Sequence, residues 1–87
     1  MFSGIVESQG IIREFARGDE SATMVVEMET GFSNLEDGES IAVNGVCLTV
    51  VEFDGAIFKM DLGTETLSKT SFRNSKIGDR VNLERSL

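Results

Sequence analysis

The sequence predicts an all-β protein, a small antiparallel barrel of about six strands. Short β-branched and apolar runs recur along the whole chain, and several alternate with period two. Nine glycines among 87 residues punctuate those runs, and proline is absent. Asn44-Gly45 and Asp54-Gly55 each stand between apolar runs, and Asn-Gly is the strongest short hairpin signal because both residues tolerate positive φ. Closing such a sheet removes its exposed edges, which favours a barrel over a sandwich in so short a chain.

The elements follow in order. Residues 4–15 read as a first strand with poor alternation, and Gly10 is expected to mark a bulge or bend in it. Arg17-Gly18-Asp19-Glu20 supplies a hairpin loop. In the next strand Ala22, Met24, Val26 and Met28 share one face. Gly31-Phe32-Ser33-Asn34-Leu35 has room for no more than a helical turn. Residues 41–43 and 46–53 flank Asn44-Gly45 as two strands. After the Asp54-Gly55 turn, Phe58, Met60 and Leu62 fall on one face of a strand, with Ile57, Lys59 and Asp61 on the other. Residues 64–72 are the best helix candidate, with Thr64 as its cap, and residues 81–85 form the last strand. Asp37-Gly38-Glu39-Ser40-Ile41 and Ile77-Gly78-Asp79-Arg80-Val81 echo each other. That echo reads as shared turn chemistry, not as a repeat. With neither Trp nor Tyr, the six Phe are expected to supply the bulk of the core.

Composition excludes several functions. The chain is one domain, residues 1–87, short enough to hide only about 60–65% of its unfolded surface. A net charge of −7 argues against nucleic acid and anionic membranes as partners. One Cys excludes an internal disulfide, and one Cys without any His makes a metal site implausible. No apolar run reaches the length of a membrane span, and the N-terminus lacks the pattern of a secretion signal. A cytoplasmic location fits these features. Without His, catalysis must use hydroxyls, carboxylates, backbone groups or a residue from a partner.

Three places can hold chemistry. Cys47 and Thr49 lie on the strand face opposite Val46, Leu48 and Val50. Spacing by itself favours a structural role for both. The alternative is a slot lined by the thiol, the hydroxyl and adjacent amides; a nucleophilic Cys47 would need a cation or base beside it. Asp61-Leu62-Gly63-Thr64-Glu65-Thr66 reads either as a strand end with a helix cap or as a ligand loop. In the second reading Gly63 admits a close approach and the hydroxyls and amides meet ring oxygens and nitrogens. Phe2-Ser3-Gly4-Ile5-Val6 either begins a strand or packs Phe2 over a ring, with backbone groups beside it. Phe2 and Cys47 are the candidates for a catalytic role.

Met1-Phe2-Ser3-Gly4-Ile5-Val6-Glu7, Asn44-Gly45-Val46-Cys47-Leu48-Thr49-Val50, Glu65-Thr66-Leu67, Gly78-Asp79 and Val81-Asn82-Leu83-Glu84-Arg85 come in a telling order. Together they resemble the N-terminal, lumazine-binding domain of the riboflavin synthase family over essentially the whole chain. No single motif is specific; the ordered set is. The resemblance implies a six-stranded Greek-key barrel with one or two short helices. It implies an enzyme that converts two molecules of 6,7-dimethyl-8-ribityllumazine into riboflavin and 5-amino-6-ribitylaminouracil without a separate cofactor. Each family chain carries two barrels, and the trimeric enzyme builds its site between the first barrel of one subunit and the second of a neighbour. This chain stops where the second barrel would begin, so the resemblance implies half an active site. It also implies self-pairing of an isolated barrel into a homodimer. Matched positions carry ligand contacts onto Gly4, Ile5 and Val6; onto Cys47, Leu48 and Thr49; onto Asp61, Leu62, Gly63, Thr64, Glu65 and Thr66; and onto Ser40 near the ribityl chain. Ser3 stands where the family usually has Thr, which keeps the hydroxyl. A non-catalytic carrier of lumazine or flavin is the alternative.

Overall fold

Period-two alternation decides which side of each strand turns inward. The computed structural model describes residues 8–29, 38–69 and 71–85. Its strands are β1 (Ser8–Arg17), β2 (Ala22–Met28), β3 (Ser40–Val43), β4 (Val46–Asp54), β5 (Ile57–Leu62) and β6 (Arg80–Arg85). β2 buries Ala22, Met24, Val26 and Met28, and β5 buries Phe58, Met60 and Leu62, as the alternation requires. All neighbours pair antiparallel in the order β1-β2-β5-β4-β3-β6, and the ring closes on β1. β3, β4 and β5 follow as hairpins while β6 returns beside β3, which is a Greek key.

Among the described residues the core is mainly aliphatic and Met-rich. Phe58 and Phe72 are fully buried, Phe15 is packed partly against the core, and Phe53 is 39% exposed. Ile12, Met24, Ile41, Val50, Met60 and Leu83 are among the aliphatic and Met residues that fill the rest of the described interior. Among the described residues the expectation of a Phe-dominated core is therefore corrected; Phe2 and Phe32 lie outside them. A small barrel has little interior volume, and branched aliphatics on every strand fill it from all sides.

The hairpins show what turn residues fix. Asn44 and Gly45 have φ of 50° and 83° and join Val43 to its partner Val46, a type I′ turn. The second hairpin is framed one residue later than the Asp-Gly pair suggests. Asp54 pairs with Ile57 as the last strand residue, and Gly55, at φ 62°, takes the first loop position with Ala56 behind it. One positive φ at the first loop position is type II′ geometry.

Gly10 does not mark the bulge. The register of β1 slips between Ile12 and Glu14, so Arg13 is the extra residue. Gly10 is instead a point of close approach: a Cβ there would lie 2.7 Å from Val26 Cγ1 and 3.0 Å from the Glu27 carbonyl oxygen. Gly10→Ala is expected to destabilise the barrel by about 1–3 kcal/mol, the usual cost of overpacking. Urea denaturation reads this directly, and an unchanged midpoint would contradict the packing argument.

The expected helix over residues 64–72 is two pieces. Helix α1 spans Thr64–Lys69 and a 3-10 turn spans Ser71–Asn74, which delivers Phe72 into the core. Thr64 is not the cap. The Gly63 carbonyl accepts the Leu67 N–H at 3.0 Å, so Gly63 holds the cap position, and the Thr64 hydroxyl donates to the Glu20 carbonyl in the β1–β2 loop.

The echo between the two Gly turns belongs to a wider correspondence. Gly38 N–H donates to the Val50 carbonyl and Val50 N–H to the Glu39 carbonyl, at 2.9 and 2.8 Å. Gly78 N–H donates to the Ile12 carbonyl and Ile12 N–H to the Asp79 carbonyl, at 2.8 and 2.9 Å. One bulge follows each set, after Ile12 and after Val50. Exchanging β1 with β4, β2 with β5 and β3 with β6 reproduces the same ring of neighbours. The barrel is thus two matching halves, and places where they differ are informative.

Candidate functional site

The halves differ at one end of the β4–β5 pair. In the first half the ladder runs on from Ile12↔Val26 through Ile11↔Glu27 to Gly10↔Met28, and Glu29 N–H donates to the Gln9 carbonyl at 2.9 Å. In the second half the equivalent ladder stops at Val50↔Met60. Asp61 and Leu62 pair with Thr23 and Ala22 of β2, while residues 46–49 pair with β3. Among the described residues no backbone bond joins Cys47 to Gly63, the counterparts of Gln9 and Glu29.

The backbone at this gap is polar and aimed outward. Val50 spends its N–H and carbonyl on the β3 side, at Glu39 and Gly38. Direction alternates along an antiparallel strand, so the main-chain groups of Thr49 and Cys47 point the other way, toward β5. The side chains of Cys47 and Thr49 are exposed, and that of Ser40 is half-buried directly across the register from Thr49. Continuing Val50↔Met60 by one residue brings Asp61 into the same row, and Thr23 follows as its partner on β2. The Thr23 hydroxyl donates to Asp61 Oδ1 at 3.2 Å. Two polar pairs, Ser40 with Thr49 and Thr23 with Asp61, therefore stand on the two sides of the gap.

The start of β3 is fixed by a bidentate ion pair. Arg85 Nε and Nη2 donate to Glu39 Oε2 and Oε1 at 2.7 and 2.8 Å, and this pairing sits beside Ser40. At the far side of the gap Gly63 faces open space, since a Cβ there would meet nothing within 4 Å. No packing inside the barrel requires glycine at that position.

The remaining predicted residues divide clearly. Leu48 and Leu62 are core residues, 4% and 0% exposed, and they pair with Ile41 of β3 and Ala22 of β2, so they flank the gap without presenting side chains to it. Thr64 and Glu65 are exposed, and Thr66 is half-buried, at the start of α1. Phe2, Gly4, Ile5, Val6 and the turn expected over residues 31–35 lie outside the described residues. Sequence reasoning missed both the end of the ladder and Thr23. Thr23 reads as an ordinary strand residue until β2 is set beside β5.

Other features are less pointed. A hollow of about 510 Å³ on the outer face of β1, β2, β5 and β4 is lined by Val25, Phe53, Ile57, Lys59 and flanking carboxylates, and contains none of the expected ligand residues. Among the described residues no cluster of His, Cys, Asp and Glu is gathered for a metal ion, and no helix is long and apolar enough to cross a membrane.

Comparison with known proteins agrees with this geometry. A family model described as the lumazine binding domain matches residues 3–86. Riboflavin synthase of Photobacterium leiognathi is 41% identical over 88 residues, covering 100% of this chain and 40% of that protein. Riboflavin synthase of Bacillus subtilis (strain 168) is 36% identical over 87 residues, again covering 100% of this chain and 40% of the relative. The chain therefore spans about two-fifths of the length of these relatives. Among solved structures, LumP complexed with 6,7-dimethyl-8-(1'-D-ribityl) lumazine superimposes with a TM-score of 0.87 at 32% identity, covering 100% of this chain and 48% of that one. LumP complexed with riboflavin gives a TM-score of 0.86 at 32% identity, over 98% of this chain and 46% of that one.

Proposed function

This chain belongs to the lumazine-binding domain family, and on that footing we propose that it binds one molecule of 6,7-dimethyl-8-ribityllumazine or riboflavin at the β4–β5 gap. In this reading it supplies half of a riboflavin synthase active site. The observation that carries it is the ladder that stops at Val50↔Met60 while its counterpart continues to Gly10↔Met28. A sheet leaves main-chain donors and acceptors unpaired beside a gap at a cost, and a planar ring with an alternating donor–acceptor edge offsets it.

Each part of the site has a role. The main chain of Cys47 and Thr49 meets the ring edge, and the buried Leu48 and Leu62 side chains form the apolar floor beneath it. Ser40 and Thr49 offer hydroxyls to the ribityl chain. Gly63 leaves space for the ring, and Asp61, Thr64, Glu65 and Thr66 border its far side. Gly4, Ile5 and Val6, with Phe2, lie outside the described residues and enter this reading as ligand contacts only through the family resemblance. The chemistry moves a four-carbon unit between two rings, so the protein's main contribution is to hold them face to face. One barrel holds one ring, and a second barrel of the family must supply the other. No separate cofactor takes part. The chain has no His, so imidazole-based proton transfer must come from the partner. A cytoplasmic location belongs to the same reading.

Titration of riboflavin with the purified chain tests the binding. Quenching of flavin fluorescence that saturates at micromolar protein is expected, and none at high micromolar protein would overturn the reading. A non-catalytic carrier is the second reading, favoured by the likeness to LumP bound to lumazine and to riboflavin. Turnover separates the two. Riboflavin formed from lumazine when a second barrel is added supports the enzyme; tight binding without product under every pairing supports the carrier. Val51, Phe53 and Ile57, each about two-fifths exposed on the outer face, support self-association of the isolated barrel. A strictly monomeric mass at micromolar concentration would contradict that.

A further inference from the structure

We propose that Thr23, on β2, positions the Asp61 carboxylate for the guest of the β4–β5 gap, an inference that rests on the ligand reading above. Thr23 and Asp61 are register partners, and the Thr23 hydroxyl donates to Oδ1 at 3.2 Å. A hydroxyl held against one carboxylate oxygen fixes the plane of the group and leaves the other oxygen as an acceptor. The guest group it selects is then a donor, a ring N–H or a ribityl hydroxyl.

The other half of the barrel supplies the control. The counterpart of Asp61 there is Glu27, which stands opposite Ile11 as Asp61 stands in line with Thr49. Glu27 is neutralised by Arg13, whose Nε donates to Oε1 at 2.7 Å. Asp61 forms no ion pair among the described residues. An acidic side chain tied to arginine in the closed half is held by a neutral hydroxyl in the open half, where its charge and acceptor capacity stay available. The same hairpin holds the loop a second time, because the Glu20 carbonyl accepts the Thr64 hydroxyl. Residues 61–64 are thus braced from the β1–β2 side at both ends, while their β4 side is open.

Thr23→Val removes the donor and keeps the branched shape; Thr23→Ser restores the donor. In the whole chain, T23V is expected to raise the riboflavin Kd about five- to tenfold, the net worth of one ordinary hydrogen bond. T23S stays within about twofold of wild type, since the donor is retained. Adding T23V to Asp61→Ala, which removes the acceptor, costs no further affinity, because the two residues act through one contact. Amide hydrogen exchange of residues 61–66 in the free protein rises in T23V, while that of β2 does not. Wild-type affinity in T23V, or losses that add fully in the double variant, overturns the positioning role and leaves the ligand reading standing. Failure of the wild-type chain to quench riboflavin overturns both.

Discussion

Gly63→Phe is expected to abolish riboflavin binding while the barrel stays folded. Gly63 lies at the mouth of the β4–β5 gap, and a side chain there projects into open space instead of into the protein. Its carbonyl still accepts the Leu67 N–H, so α1 keeps its first turn. Replacing glycine at a helix N-cap with an apolar residue costs about 1 kcal/mol or less. A ring-sized side chain in the guest's volume need impose only about 2.8 kcal/mol of exclusion to weaken binding 100-fold. Fluorescence titration and thermal unfolding are measured on the same preparation. A folded variant that binds as wild type would remove Gly63, and with it the gap, from the site.

Phe58→Ala is the opposite case, a large loss of stability. Phe58 is 1% exposed at the centre of β5, between Val26 on β2 and Phe53 on β4. Truncating a buried Phe costs about 3–5 kcal/mol, transfer and cavity together. A domain of this length has a total stability of only about 4–13 kcal/mol. The unfolding midpoint is therefore expected to fall by on the order of 20 °C. Circular dichroism against temperature measures it, and a drop of only a few degrees would show that Phe58 does not hold the interior as its burial indicates. Riboflavin raises the midpoint of the wild type through mass action and should raise that of Phe58→Ala as well, because Phe58 lies away from the gap.

Much of the fold was legible in the residues, for local reasons. A strand face is set by alternation, so Ala22, Met24, Val26 and Met28 declared the interior before any partner was known. Asn44-Gly45 declared a hairpin because left-handed backbone is cheap there and the turn matches the strand twist. Errors arose where a local signal had a non-local cause. Gly10 looked like a bulge and is a point where Val26 and Leu83 press on the backbone. Thr64 looked like a cap, yet its hydroxyl is drawn to the Glu20 carbonyl of a hairpin more than forty residues earlier.

The candidate site divides along the same line. Cys47, Thr49 and Asp61 were visible as polar positions on outward strand faces, since alternation assigns each residue a side. Their grouping around one gap, Thr23 as the neighbour of Asp61, and the ladder that ends at Val50↔Met60 were decided by tertiary structure. Face and turn type are properties of a few consecutive residues. Whether two strands stay hydrogen-bonded to their ends depends on the register each must keep with its other neighbour, and here β5 follows β2 while β4 follows β3. No local stretch of sequence encodes that competition, which is settled when the ring closes.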